Sequence, residues 1–131
     1  MRYARVVSLL VLLVATALTA YSGEKGKMGT ATITGTLVDT QCYTAKGLTA
    51  NKHGDMDDCG TMCARAGIPV AVLSANNKLT FVAAPAPKFA DAVGSKVEVT
   101  GMLKGGAIVP EKFKYEKGGK WVDIPISGGV M

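Results

Sequence analysis

Two segments with a shared frame constrain the fold of this chain most. Ile33-Thr34-Gly35-Thr36-Leu37 and Val99-Thr100-Gly101-Met102-Leu103 both alternate apolar and polar residues around a central glycine. Period-two alternation with β-branched residues marks a half-buried strand. A glycine inside such a strand marks a bend, a bulge or the close approach of another backbone. In the first segment Ala31, Ile33, Gly35 and Leu37 share one face, and Thr32, Thr34 and Thr36 the other. Five matching residues are too few for an internal duplication. They are what two long strands need if each bends at its middle to close a small barrel.

The remaining elements follow in order. Residues 39–58 are polar, carry Gly47 and Gly54 and show no period, so they read as a long loop of the kind that is usually functional. Asp55, Asp57 or Asp58 is placed to cap a short helix over 57–66, which Gly67 and Pro69 terminate. On it Cys59, Met62, Cys63 and Ala66 fall at i, i+3, i+4 and i+7, one face, expected to point into the domain. Residues 69–74 and 79–83 form a hairpin, and Pro87 starts a second short helix that Gly94 stops. Strands over 96–104 and 107–116 follow, with a last short one near 121–126. The expected fold is mainly β with two short helices. It is a five-stranded OB-like Greek-key barrel with a Cys-bearing helix inserted after the first strand. An open α+β sheet of the same elements is the alternative.

The first residues belong to a different class. Met1 to Arg5 is basic, residues 6–17 are almost continuously apolar, and small residues follow at Thr19, Ala20 and Ser22. That is a secretory signal peptide, expected over 1–22 with cleavage after Ser22 or Ala20. Its apolar run is about a dozen residues against the roughly 20 that span a bilayer, so no stable membrane anchor is expected after its removal. Tyr21 stands where a lipoprotein signal would need a cysteine. Residues 23–29 read as a flexible lead-in, 30–126 as a single domain and 127–131 as a frayed tail. Arg2 and Arg5 leave with the signal, so the formal net charge of +5 falls by two. A periplasmic or secreted protein is expected, in an oxidising compartment where disulfides persist.

All three cysteines and the single histidine lie within 22 residues of one another: Cys42, His53, Cys59 and Cys63. One reading is a structural disulfide from Cys42 to Cys59 or Cys63, with the third thiol buried. Closing a loop of roughly 17 or 21 residues contributes about 3 kcal/mol in the chain-entropy model. A bridge between Cys59 and Cys63 within one helical turn has poor geometry. The alternative is a transition-metal site built from Cys42, Cys59, Cys63 and His53. It would suit Zn, or Cu(I) given Met56 and Met62 beside the thiols. Haem-attachment and Cys-x-x-Cys redox motifs are absent from the sequence.

These residues also carry a resemblance. Val38, Asp39, Cys42, Tyr43, His53, Cys59, Cys63, Gly67, Pro69, Val70 and Gly101 form a Val-Asp-x-x-Cys-Tyr, His, Cys-x-x-x-Cys, Gly-x-Pro-Val frame. In this frame the chain resembles small exported bacterial proteins with an OB-like barrel. His53 stands further from the first helical cysteine than in those proteins. The resemblance implies a fold and a location; it implies no reaction.

No Ser-His-Asp arrangement, phosphate loop or carboxylate pair is recognisable, so the chain reads as a non-enzymatic binding or interaction module whose ligand or protein partner the sequence does not name. Lys96, Lys104, Lys112, Lys114, Lys117 and Lys120 with Phe113, Tyr115 and Trp121 are the residue types a single-strand nucleic-acid groove uses. Glu98, Glu111 and Glu116 interrupt that stripe, and lysines on exposed strands also keep edges soluble. Nucleic acid is therefore disfavoured as a partner.

Overall fold

A computed structural model describes residues 29–126 of the chain. The expected signal peptide, most of the lead-in and the tail lie outside the described residues. The described residues form strands β1 (Gly29–Asp39), β2 (Val70–Leu73), β3 (Leu79–Val82), β4 (Lys96–Lys104), β5 (Ala107–Lys117) and β6 (Lys120–Ile124). Helices α1 (Thr40–Lys46) and α2 (Cys59–Arg65) fall between β1 and β2, and a 3-10 helix (Ala86–Ala92) between β3 and β4.

The strand order is β3-β2-β1-β4-β5-β6. A parallel pairing of β3 with β5, Phe81 beside Ala107 and Val82 beside Ile108, closes the first five strands into a barrel. The fold is a small OB-like barrel with β6 added along β5, and closure sets the open-sheet alternative aside.

The two glycine-centred segments are paired with each other. Ile33 faces Val99 across the antiparallel β1–β4 ladder, so a local two-fold relates the segments. Their glycines are sites of close backbone approach. A Cβ on Gly35 would lie 2.2 Å from the Leu73 carbonyl oxygen, and one on Gly101 would lie 1.9 Å from that of Val109. The β4–β5 register shifts between Thr100 and Gly101. Each strand thus turns the barrel corner where a side chain would collide with its neighbour's backbone.

Inward-facing Leu37, Val70, Val72, Val97, Val99, Ile108 and Phe113 fill the barrel. The 3-10 helix adds Phe89, fully buried, with its ring centroid 4.5 Å from that of Phe113. Pro87 lies in its first turn, where the missing N–H costs nothing. The helix expected here is therefore present, in 3-10 form.

Two expectations about the β1–β2 connection are corrected. Residues 39–58 are not one long loop, because α1 occupies the first part. Asp39 is its N-cap, accepting the Cys42 N–H at 2.8 Å, and Gly47, at φ 67°, is its left-handed C-cap. None of its residues is buried, so it has no apolar period to read, and the described residues hold three short helices rather than two. The second correction concerns the buried face of α2. Gly60, Thr61 and Ala64 are the residues it buries, whereas Met62 and Ala66 are exposed and Cys59 and Cys63 half-buried. The cysteine face points away from the core, toward α1 and the loop that carries His53.

Candidate functional site

The site lies where β1 leaves the barrel. Asp39, the last residue of β1, pairs with Val70, the first of β2. Thr40 continues the contact by donating both its N–H (3.1 Å) and its hydroxyl (2.9 Å) to the Pro69 carbonyl. The chain therefore enters α1 from a fixed point, and the Asp39 cap sets Cys42 three residues on.

The loop after α1 is held from below by Asn51. Its carbonyl accepts the Gly60 N–H at 3.0 Å, and its Oδ1 accepts the Thr61 N–H at 2.7 Å. Asn51 thus caps the N-terminus of α2 from eight residues upstream. Asp58, at the cap position, makes no side-chain capping bond, and Asp57 pairs instead with Lys52 at 2.6 Å. The Thr61 hydroxyl accepts from Asn51 Nδ2 at 3.0 Å and donates to the Ala90 carbonyl at 3.0 Å, which ties the same point to the 3-10 helix. Packing here is close: a Cβ on Gly60 would meet Val93 Cγ1 at 2.6 Å, and one on Gly94 the Asn51 nitrogen at 2.5 Å. Gly60, costly to an isolated helix, is what lets α2 lie against this platform.

Two residues beyond Asn51 the chain folds into a tight hairpin. His53 N–H donates to the Met56 carbonyl at 2.9 Å, Met56 N–H returns a bond to the His53 carbonyl at 3.1 Å, and Gly54 turns between them at φ 60°. The hairpin carries the imidazole to the thiols. A ring nitrogen of His53 and the sulfurs of Cys42 and Cys59 all lie within 4.8 Å of one another. A second group at the same spacing joins Cys42 and Cys63 to a carboxylate oxygen of Asp39. Cys42 is common to both. The three thiols are free.

The electrostatics of this cluster are unfavourable as it stands. The Cys42 thiol is pushed up from 9.0 to about 11, first by burial, then by the negative charge of Asp39 and by the neighbouring Cys63 and Cys59. Cys63 is raised as well, by burial and then by Asp39 and Cys59. Asp39 is only 1 % exposed, and its Oδ2 is buried without a hydrogen-bond partner. Both ring nitrogens of His53 are likewise buried with none. A buried polar atom without a partner costs about 1–3 kcal/mol. The residues that carry them lie in two groups that share Cys42: His53 with Cys42 and Cys59, and Asp39 with Cys42 and Cys63.

A soft cation at the first group would give one His53 nitrogen a partner and offset the charge of ionised thiols. Tetrahedral Zn²⁺, with Zn–S near 2.3 Å, places its ligand sulfurs roughly 3.8 Å apart, so the donor group needs a contraction of about 1 Å at most. Of the four residues the sequence singles out, Cys42, His53 and Cys59 come together in one group, and Cys63 joins through Cys42. Asp39, Asn51 and Thr61 have roles that sequence reasoning missed. The Asp39 role has a local signal, since an acceptor three residues before Cys42 is the N-cap pattern. Asn51 has none, because the residue it caps is ten positions away.

Comparison of this chain with protein-family models, curated proteins and solved structures finds no match.

Proposed function

We propose that this chain is an exported, non-enzymatic protein that binds a thiophilic transition-metal ion of the zinc or copper class. The ligands are Cys42, His53 and Cys59, with Cys63 as the further donor. The observation that carries the reading is His53: an imidazole with both nitrogens buried and unpartnered, set within 4.8 Å of two thiol sulfurs. A histidine kept only for packing would find a carbonyl or a hydroxyl. A metal ion gives one nitrogen a partner and lowers the thiol pKa values by its own charge. Asp39 is then the carboxylate that borders the ligands and balances the ion, an arrangement common in metal sites.

The same sulfurs support a disulfide as the second reading, since Cys42 is near enough to Cys59 and to Cys63 for either bridge with modest movement. It accounts less well for the surroundings, because a bridge leaves both His53 nitrogens without a partner. A thiol-based catalytic role fits poorly, since a thiol raised to about 11 is almost wholly protonated near neutral pH.

The test is cobalt substitution of the reduced protein. One equivalent of Co(II) is expected to produce a thiolate-to-cobalt charge-transfer band and tetrahedral d–d absorption, both abolished by Cys42→Ser. Absence of those bands in folded, fully reduced protein, with a Cys42 bridge found by peptide mapping of protein isolated from the export compartment, would replace the metal reading with the disulfide.

A further inference from the structure

The site has an outer rim that zinc has no use for. Among the described residues seven large apolar side chains are exposed, and two of them are Met56 (46 %) and Met62 (50 %). Both belong to the elements that carry the ligands. Met56 sits opposite His53 in the hairpin, joined to it by two backbone hydrogen bonds. Met62 is on α2 between Cys59 and Cys63, three residues after the first and one before the second, so its side chain leaves the helix on the ligand face. Unbranched apolar side chains gain nothing from water at either position, and neither is needed to fill the core. The donors are therefore layered, with thiols and a buried imidazole inside and two exposed thioethers outside.

Thiolate sulfur serves zinc and Cu(I) alike, whereas thioether sulfur is a soft donor suited to Cu(I) and absent from the usual zinc ligand set of thiolate, imidazole and carboxylate. The group in which the donors lie nearest one another is Cys42, His53 and Cys59, a set that a d¹⁰ Cu(I) ion accepts without a fourth ligand.

We infer that the ion is Cu(I), captured at the surface by the thioethers of Met56 and Met62 and passed inward to Cys42, Cys59 and His53. This rests on the metal reading of the site. In the transfer, each thiol that becomes a ligand releases its proton to solvent as its Cu–S bond forms. The imidazole donates a neutral nitrogen, the thioethers dissociate, and copper stays Cu(I) throughout, so no electron donor or acceptor is required.

The experiment loads reduced protein anaerobically with Co(II) and adds Cu(I) as its bicinchoninate chelate, following loss of the cobalt bands and of the coloured chelate by stopped flow. Wild type is expected to exchange one Cu(I) for one Co(II) to completion. The double variant Met56→Leu, Met62→Leu, which keeps the apolar bulk at two exposed positions, is expected to bind Co(II) as wild type does and to take up Cu(I) severalfold more slowly. Retention of Co(II) against excess Cu(I) chelate would overturn the assignment of the ion. Equal uptake rates in wild type and the double variant would overturn the role of the methionines. Failure of folded, reduced protein to bind Co(II) or Cu(I) at all would sink the underlying metal reading, an outcome distinct from both.

Discussion

Asn51 is the residue whose removal should be felt furthest. Its side chain satisfies the Thr61 N–H at 2.7 Å and the Thr61 hydroxyl at 3.0 Å, against a residue only 7 % exposed. Loss of an N-cap costs about 1 kcal/mol, toward 2 where the freed N–H is buried. Loss of the amide–hydroxyl bond adds about 1 kcal/mol. Water entering the vacated space recovers part of this, so Asn51→Ala should lower stability by about 2–3 kcal/mol. For a domain of this size that is a fall in Tm of roughly 10–20 °C. Asn51→Asp keeps the acceptor toward Thr61 N–H and adds a negative charge at a helix N-terminus, worth about 0.3–1 kcal/mol. It should remain within about 1 kcal/mol of wild type although it loses the Nδ2 donor. The assay is urea unfolding of reduced, metal-free protein with m-values compared, followed by Co(II) titration. Because Asn51 anchors the hairpin that positions His53, the alanine variant should also bind Co(II) about 10–100-fold more weakly, as loss of a supporting contact does in metal sites. Equal loss of stability in the alanine and aspartate variants, or a loss under about 0.5 kcal/mol in Asn51→Ala, would refute the assignment of this cap.

Three further outcomes are expected. Gly101→Ala, whose Cβ would lie 1.9 Å from the Val109 carbonyl oxygen, cannot be accommodated by a rotamer change; thermal unfolding should show a loss of about 3 kcal/mol or more, above the usual overpacking range of about 1–3 kcal/mol because backbone must move. Gly60→Ala sets a helix-propensity gain of up to about 1 kcal/mol against collision with the stiff, buried Val93 at 2.6 Å; denaturant titration should show a net loss of about 1–2 kcal/mol. For pH, the Cys42 thiol is near 9.0 when unfolded and about 11 when folded. The folded state thus holds the proton more tightly, its contribution is complete below pH 9, and it is lost as pH rises through 11. The metal-free, reduced protein should therefore lose stability between pH 9 and 11 by more than Cys42→Ser does, measured by urea midpoint across that range.

Much of the barrel was legible because its strands announce themselves by alternation, and because Gly35 and Gly101 interrupt two of them at matching points. The strand expected over 96–104 has those bounds in the fold, and β5 begins at Ala107 as expected. The features the sequence does not announce share a physical cause. Helix α1 buries none of its residues, so it is specified by its two caps, Asp39 and Gly47, and not by a hydrophobic period. The buried side of α2 is not legible from hydropathy, because Cys59, Met62, Cys63 and Ala66 form the more apolar stripe while the face that docks is made of small residues. Gly60, Thr61 and Ala64 permit close approach, and hydropathy does not register closeness. Cys42, His53, Cys59 and Cys63 were visible as a cluster in sequence. Their grouping was not, since the hairpin that brings His53 in depends on Asn51 bonding to Gly60 and Thr61 across the loop.

The two-sided character of α2 has a consequence for how such a domain can change over time. One side fastens the helix to the barrel through Gly60, Thr61 and Ala64; the other presents Cys59, Met62 and Cys63. Substitutions on the presenting side leave the attachment untouched, so the side chains there are free to change in kind at little risk to folding. The barrel then acts as a socket, and the chemistry mounted in it can be exchanged a residue at a time.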